Sequence, residues 1–537
     1  MAAGEAVAVK RWNGWGDSTV TYPVPEAARD FLARRLGRGA RPREAALDDL
    51  LRSAPAPRLP DHPLVTTDAE ARVRHARGQS LPDWIAARTG DPAALPDGVA
   101  FPTCSGEVRE LIRFARASAV ALIPYGGGTS VLGQITIPPD APPAISVDLG
   151  RMSRLLDLDD ASGLATFGAG VTGPDLEASL RAKGLTLGHY PQSFEYSTLG
   201  GWIATRSVGQ QSLGYGRIEQ LFAGGVVESP EGTLTLQPIP ASAAGPDLRH
   251  LVLGSEGRLG IITQATVRVR RLPEQERFHA VFFPDFRHGL EALRAMLQSG
   301  VGASMLRLST PQETVTSFAL AGRRWLQGLL ERGLALRGVG GERCLLLMGF
   351  TGAAIQVRSA RAQALALARA HGGVHVGRAI GRAWVRERFR APYLRNSLWD
   401  LGYAVDTLET AGTWRRIPGI VAAIEQALAR ALDGTGERAF AFTHVSHPYP
   451  DGSNVYTTLL YRLAPDADES LARWRLLKTA ASAAILAAGG TISHQHGVGT
   501  DHRAYLPAEK GPLGIALLRA ACRALDPDGI MNPGKLA

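Results

Sequence analysis

The chain has 537 residues, 45% of them hydrophobic, and carries 59 Lys and Arg against 50 Asp and Glu for a formal net charge of +9. That length and apolar content exceed what one core needs, so two or three domains are expected. Cys104, Cys344 and Cys522 are too few and too scattered for a disulfide framework or a thiolate metal centre. The basic surplus is dispersed and mostly arginine, which argues against nucleic acid and for an anionic substrate or an acidic lipid surface.

In chain order, Met1 to Gly14 contains Glu5, Lys10 and Arg11 and no apolar core of signal-peptide type. The most apolar helical run, 480–488, is far shorter than the ~20 residues that span a bilayer. The reading is a cytoplasmic protein, free to dock peripherally on a membrane. Residues 1–95 are rich in Arg, Ala, Pro and Asp, with helical stretches at 27–36 and 43–51, and read as a helical N-terminal extension. From 96 to 274 the texture changes to short β-runs punctuated by Gly and Pro. A helix with Val108, Leu111, Ile112 and Ala115 at helical spacing precedes a strand at 120–123. A helix is expected at 174–183, with Pro at its first turn and Gly184 past its end, and a hairpin at 224–236 that turns at Ser229-Pro230-Glu231-Gly232. From 275 to 480 longer strands (278–283, 344–350, 403–407, 454–461) alternate with helices (290–297, 355–370), which suits an α+β domain with an antiparallel sheet covered by helices on one face. A C-terminal segment, 481–537, is expected to complete the active site against the 96–274 region.

Four segments of the second region share one composition. They are Pro124-Tyr125-Gly126-Gly127-Gly128-Thr129-Ser130; Gln192-Ser193-Phe194-Glu195-Tyr196-Ser197-Thr198, which runs on into Leu199-Gly200-Gly201-Trp202; Thr205-Arg206-Ser207-Val208; and Gly254-Ser255-Glu256-Gly257-Arg258-Leu259-Gly260-Ile261-Ile262. Each joins glycines or a tight turn to small hydroxyl residues, the combination that lets backbone N–H groups lie against a pyrophosphate or a flat ring. A lone triple glycine is as often a flexible turn, but four such segments within about 140 residues point to one nucleotide cofactor. The order matches neither the G-x-G-x-x-G fingerprint nor the P-loop.

Together with Arg11-Trp12-Asn13-Gly14-Trp15-Gly16, Phe101-Pro102-Thr103-Cys104, Tyr215-Gly216-Arg217-Ile218-Glu219 and Ser493-His494-Gln495-His496-Gly497-Val498-Gly499, these segments resemble the vanillyl-alcohol oxidase superfamily of flavoproteins. Within it the chain resembles the alkyldihydroxyacetonephosphate synthase family from about residue 10 to its end. The resemblance implies an α+β protein with a PCMH-type FAD-binding domain at 96–274 and a cap domain at 275–480. It also implies FAD held without a covalent bond, acting through N5, with the four segments as its binding residues. The implied reaction is redox-neutral: the acyl group of acyl-dihydroxyacetone phosphate is exchanged for a long-chain fatty alcohol, giving an ether lipid. A homodimer is implied as well.

Carried over residue by residue, the resemblance makes Tyr456 the acid/base that moves the substrate's α-proton. A phenol doing this near neutrality needs a depressed pKa or a strong proton acceptor beside it. Arg395 becomes the substrate-phosphate arginine, a fork that matches phosphate oxygens as lysine cannot. Arg307 becomes a second arginine of the active-site region. His494 and His496 flank Gln495 where animal enzymes have three consecutive histidines; on an extended segment both rings share one face and could reach one phosphate or flavin edge. A competing reading gathers His444, His447, His494 and His496 as metal ligands of a D-2-hydroxyacid dehydrogenase, whose ending the run from Asp526 to Leu536 resembles. The preferred reading assigns no metal.

Overall fold

A computed structural model of the chain describes residues 10–321 and 324–536. The stretch before residue 10, most of the segment read as lacking a signal-peptide core, lies outside the described residues. A first sheet has four strands in the order Val65–Thr66, Gly98–Ala100, Ala144–Asp148, Ala121–Tyr125. The last three are parallel. Parallel strands buried on both faces read as unbroken apolar runs, and 121–123 and 144–145 are fully buried. The helix Ser105–Ala117 lays Val108, Leu111, Ile112 and Ala115 on this core, as their 3–4 spacing requires. The two-residue strand at Val65–Thr66 comes from the N-terminal region and is too short to leave a periodic signal, so composition alone hides that this region joins the sheet.

A second, antiparallel sheet runs Leu155–Asp159, Leu164–Gly168, Ile261–Arg268, Phe222–Ser229, Gly232–Leu236. Its last two strands are the expected hairpin; Gly232 has φ +129°, a conformation that L side chains rarely adopt. The chain then returns to the first sheet at its C-terminal end: the Leu122 N–H donates to the Ile530 carbonyl (2.8 Å) and the Asn532 N–H to the Leu122 carbonyl (2.9 Å), so 530–532 lies directly beside the strand that leads into the glycine run.

The largest sheet has seven antiparallel strands in the order Val374–His375, Gln275–Phe283, Cys344–Gly352, Met305–Ser309, Ala439–Ser446, Gly452–Arg462, Tyr403–Thr413. Side chains alternate across it. Leu306, Leu308, Val445, Val455 and Leu459 point into a core built with the helices Phe286–Gln298, Ala354–Ala370, Ile417–Arg430 and Ala467–Ala487. The opposite face is not bare. The helices Glu26–Leu36 and Ala391–Asp400 pack on Tyr403, Phe440 and Leu460, and Ala379–Glu387 packs on Phe278 and Phe282. Between those helices this second face is left open, and it carries the polar chemistry described next. Among the described residues no helix is long and apolar enough to cross a membrane.

Candidate active site

A cavity of ≈ 630 Å³ runs from the 124–130 loop across the open face of the large sheet. Gly126, Gly127 and Gly128 line it because nothing larger fits. A Cβ on Gly127 would collide with the Tyr196 carbonyl, one on Gly126 with the Thr198 hydroxyl, and Gly128 sits at φ +66°. Pro124, Tyr125, Thr129, Ser130, Gln192, Ser193, Ser197, Thr198, Thr205, Ser207, Val208, Glu256, Gly257, Gly260 and Ile262 line the same cavity. The structure therefore brings all four segments to one place, a groove of backbone and hydroxyls that fits a pyrophosphate and a flat ring system.

Seven of the expected cofactor residues do not line it, each for a visible reason. Phe194 is a core ring packed on Tyr190 and Phe389. Tyr196 is spent on the Tyr393 hydroxyl (3.0 Å) and on the edge of Trp15, and offers the groove only its carbonyl, which forces Gly127. Glu195 also faces Tyr393, and burial raises its carboxyl pKa. Arg206 ends the helix Leu199–Thr205 in the left-handed conformation and pairs with Glu219 at 3.2 Å. Arg258 binds the Met531 carbonyl and lies 3.5 Å from Asp526, tying down the C-terminal segment. Leu259 and Ile261 are buried in the core. Within each motif some residues serve the groove and others the scaffold, and the fold decides which. His189 is also absent from the lining; it is buried against Trp202 with Nε2 3.2 Å from the Ser207 hydroxyl, and burial pushes its pKa down to about 3.

The reactive side is built by strand register. Glu409, Tyr456 and His444 are direct cross-strand partners on three adjacent strands, so the pleat sets them in one row facing the open side. His444 stacks on Tyr456 (ring centroids 4.8 Å apart), and His496 meets Tyr456 edge-on at 6.1 Å. Burial raises the Tyr456 phenol above its ordinary value and the Glu409 charge adds to this, so the phenol is protonated at rest. Of the two expected ways for a phenol to work near neutrality, a depressed pKa or a proton acceptor beside it, the raised phenol leaves the second.

Glu409 is the hub that sequence reasoning missed, since a lone Glu in a strand carries no motif. Burial pushes its carboxyl up, but His496 and His494 pull it down to about 2. His494 Nδ1 lies 3.0 Å from one oxygen and His496 Nε2 3.4 Å from the other. The two histidines thus share a carboxylate, and only His496 lines the cavity. The other ring nitrogen of His494 meets the Tyr449 hydroxyl at 2.7 Å, which leaves His494 no free edge for substrate. Between them Gln495 turns into the cavity, its amide oxygen accepting from the Val208 N–H (3.1 Å).

Arg307 and Arg395 both line the cavity but differ in their partners. Arg307 pairs with the buried Glu313 at 2.6 Å, and His444 Nδ1 lies 3.1 Å from the same carboxyl oxygen. Burial pushes Glu313 up, but Arg307 and His444 hold it down at about 2. Arg395 is no surface residue. Its Nη1 donates to the Gln79 carbonyl (2.8 Å), its guanidinium lies over Trp84 (4.2 Å), and among the described residues no carboxylate is within ion-pair distance. Burial lowers its pKa to about 10, so it keeps its charge. It is a cation with room for an anion. Of the other flagged imidazoles, His444 is taken up with Arg307 and Glu313, and His447 Nδ1 lies 3.2 Å from the Ser212 hydroxyl. Among the described residues no three His, Cys, Asp or Glu side chains converge in a metal-holding group.

Stepping two residues along each strand from the reactive row, the register gives Thr407, Thr458 and Phe442, then Val405, Leu460 and Phe440. Polar chemistry gives way to hydroxyls and then to hydrocarbon, roughly 13 Å from the row at ~3.3 Å per residue. Phe31 and Leu32 of the N-terminal helix, Leu320, Leu394 and Leu398 wall the same apolar arm. Sequence analysis found none of these; their signal was ordinary amphipathic spacing.

This fold and groove define a flavoprotein of the FAD-linked oxidase class. Residues 96–236 match the FAD binding domain model and 272–536 the FAD linked oxidases C-terminal domain model. The alkyldihydroxyacetonephosphate synthase of Dictyostelium discoideum is 31% identical over 571 residues, covering 98% of this chain and 93% of that protein, and the synthase of Trypanosoma brucei brucei is 30% identical over 98% and 92%. A solved structure of an alkyldihydroxyacetonephosphate synthase superposes with a TM-score of 0.84 at 28% identity, covering 98% of this chain and 99% of that one. The chain belongs to the alkyldihydroxyacetonephosphate synthase family.

Two outcomes follow from this geometry. Because the Cβ of an alanine at 127 meets backbone rather than a movable side chain, Gly127→Ala should leave the purified protein folded by circular dichroism but with little flavin absorbance; full flavin occupancy would show the groove is not the cradle. Glu313 and Glu409 hold pKa values of about 2 when folded against an ordinary 4.5. The unfolded chain therefore takes up protons first as pH falls, so the stability these two groups supply is complete above 4.5 and is lost progressively toward 2. Urea midpoints measured from pH 7 to 3 should be level at first and drop on the acid limb, and Glu409→Gln should flatten that drop.

Proposed function

We propose that this chain catalyses FAD-dependent exchange of the fatty acyl group of acyl-dihydroxyacetone phosphate for a long-chain alcohol, forming alkyl-dihydroxyacetone phosphate. The observation that carries this reading is the single cavity that joins a flavin-shaped groove, an arginine lacking a counter-ion and an arm of hydrocarbon. A short hydroxyacid would leave that arm empty, whereas an acyl or alkyl chain buries apolar surface along it at about 25 cal/mol per Å². That favours the lipid over the hydroxyacid reading.

The bond between the acyl oxygen and the dihydroxyacetone carbon breaks, the fatty acid leaves as its carboxylate, and the alcohol oxygen forms the ether; electrons balance without an acceptor. FAD held by the 124–130 and 192–198 segments would supply the reactive ring nitrogen N5 beside the substrate carbon. The chain's own residues do the rest. Arg395 takes the phosphate with a guanidinium fork. Tyr456, protonated at rest, relays the α-proton: its hydroxyl accepts that proton as it passes its own to His496, so no free phenolate forms, and Glu409 behind His496 steadies the imidazolium. Arg307, neutralised by Glu313, keeps His444 stacked under the phenol. His494 orients Glu409 and touches no substrate. The apolar arm excludes water. Homodimer formation, and peripheral contact with the membrane that stores both lipids, complete the reading.

Mixing the purified protein with acyl-dihydroxyacetone phosphate and a labelled fatty alcohol should yield the labelled ether with no electron acceptor consumed. Tyr456→Phe should keep its flavin and lose at least ~10²-fold in exchange rate. Reduction of the flavin by D-lactate at the turnover rate, with activity lost to chelators, would replace this reading with a dehydrogenase. With His189 buried away from the groove, acid precipitation should release intact FAD into the supernatant; flavin retained in the pellet would contradict noncovalent binding.

A further inference from the structure

Arg395 is a buried cation whose partners inside the protein are a backbone carbonyl and the face of an indole, and both come from the N-terminal region. Trp84, in the helix Leu81–Thr89, lies under the guanidinium at 4.2 Å and is itself almost fully buried. Arg88 also lies against this ring, 4.9 Å from its centroid, and is paired with Glu44. The indole Nε1 donates to the Gln79 side-chain oxygen at 2.7 Å, which fixes the tilt of the ring. Gln79 in turn offers its carbonyl to Arg395 Nη1 and donates its backbone N–H to the carbonyl of Ser130, in the glycine run of the cradle. One residue thus links the flavin groove, the indole and the guanidinium.

We propose that Gln79 and Trp84 are positioning residues that set Arg395 at a fixed place relative to the flavin groove, so that the phosphate end of the substrate is registered against the reacting carbon. The inference rests on the reading of Arg395 as the phosphate grip. The physical reason lies in the missing counter-ion. A carboxylate at this place would hold the guanidinium firmly but would compete with the phosphate for it; an indole face and a carbonyl hold it without cancelling its charge. Because Trp84 lies behind Arg395 and outside the cavity lining, its influence on substrate passes through Arg395.

The test compares Trp84→Leu, Trp84→Phe, Gln79→Leu and Arg395→Ala in the flavin-loaded enzyme, using acyl-dihydroxyacetone phosphate, its unphosphorylated counterpart, and inorganic phosphate as a competing ligand. Trp84→Leu should raise KM for the phosphorylated ester about tenfold, the size of a desolvated cation–π contact. It should weaken phosphate inhibition in parallel, with kcat and flavin content unchanged and no effect on the unphosphorylated ester. Trp84→Phe keeps a π-face and should recover most of the loss, while Gln79→Leu should shift KM in the same direction. Equal losses on both esters, or an unchanged KM in both Trp84→Leu and Gln79→Leu, would overturn the proposal. Should Trp84→Leu not fold, Gln79→Leu and Trp84→Phe carry the decision. Arg395→Ala separates the layers: an unchanged KM for the phosphorylated ester there defeats the reading of Arg395 itself, whereas a raised KM alongside silent Gln79 and Trp84 variants defeats this inference alone.

Discussion

The segment 494–500 is gripped at both ends by buried carboxylates, and the active site exists only because of that grip. At one end His494 and His496 close on Glu409 of the large sheet. At the other, the N–H groups of Val498 and Gly499 converge on Glu256 of the flavin groove, and the Thr500 N–H donates to Leu132 beside the glycine loop (2.9 Å). A buried carboxylate is tolerable only when compensated. Each half of the protein therefore presents a buried carboxyl whose oxygens this one segment must satisfy, and satisfying both ties the groove to the reactive row. Gly499 passes so close to the Leu132 carbonyl that a Cβ there would clash, which explains glycine within a motif otherwise read for its histidines.

The anion that organises the segment also governs the phenol. Glu409 lies beside Tyr456 in the ladder and raises it, so the tyrosine rests as a proton donor. The same carboxylate makes His496 a better proton acceptor, by offsetting the burial that lowers the imidazole's pKa. Burial, which favours the neutral form of each group, is what separates the two: it raises the phenol and lowers the imidazole, whereas the Glu409 charge raises both.

The flavin groove was legible in the sequence because backbone close approach leaves no alternative to glycine, and Gly126, Gly127 and Gly128 announce that constraint directly. The elements were legible for the usual reason of period: Val108, Leu111, Ile112 and Ala115 could only be one face of a helix. The reactive row was half legible. Tyr456, His494, His496, Arg307 and Arg395 entered through family resemblance, but Glu409 and Glu313, which set the protonation of the whole row, are single acidic residues in ordinary amphipathic stretches and become partners only through register and packing. Phe194, Tyr196 and Arg258 fall outside the lining, because a motif marks a stretch of chain and the fold then divides it between groove and scaffold. The N-terminal region looked like an extension, yet it supplies a strand, the wall of the apolar arm and the support under Arg395.

Gln495 stands where the chain departs from three consecutive histidines, and its contacts show what the amide does there. An imidazole at that position would have to hold one tautomer to accept from the Val208 N–H, and any protonation would break the contact. The amide oxygen of Gln495 accepts at every pH and cannot be protonated in the working range. The substitution removes a titratable group from the lining and replaces it with a fixed strut between the 494–500 segment and the 205–208 turn. With His494 engaged at both nitrogens and Gln495 carrying no titratable group, His496 is the one imidazole of the triplet that lines the cavity, beside the ring of Tyr456.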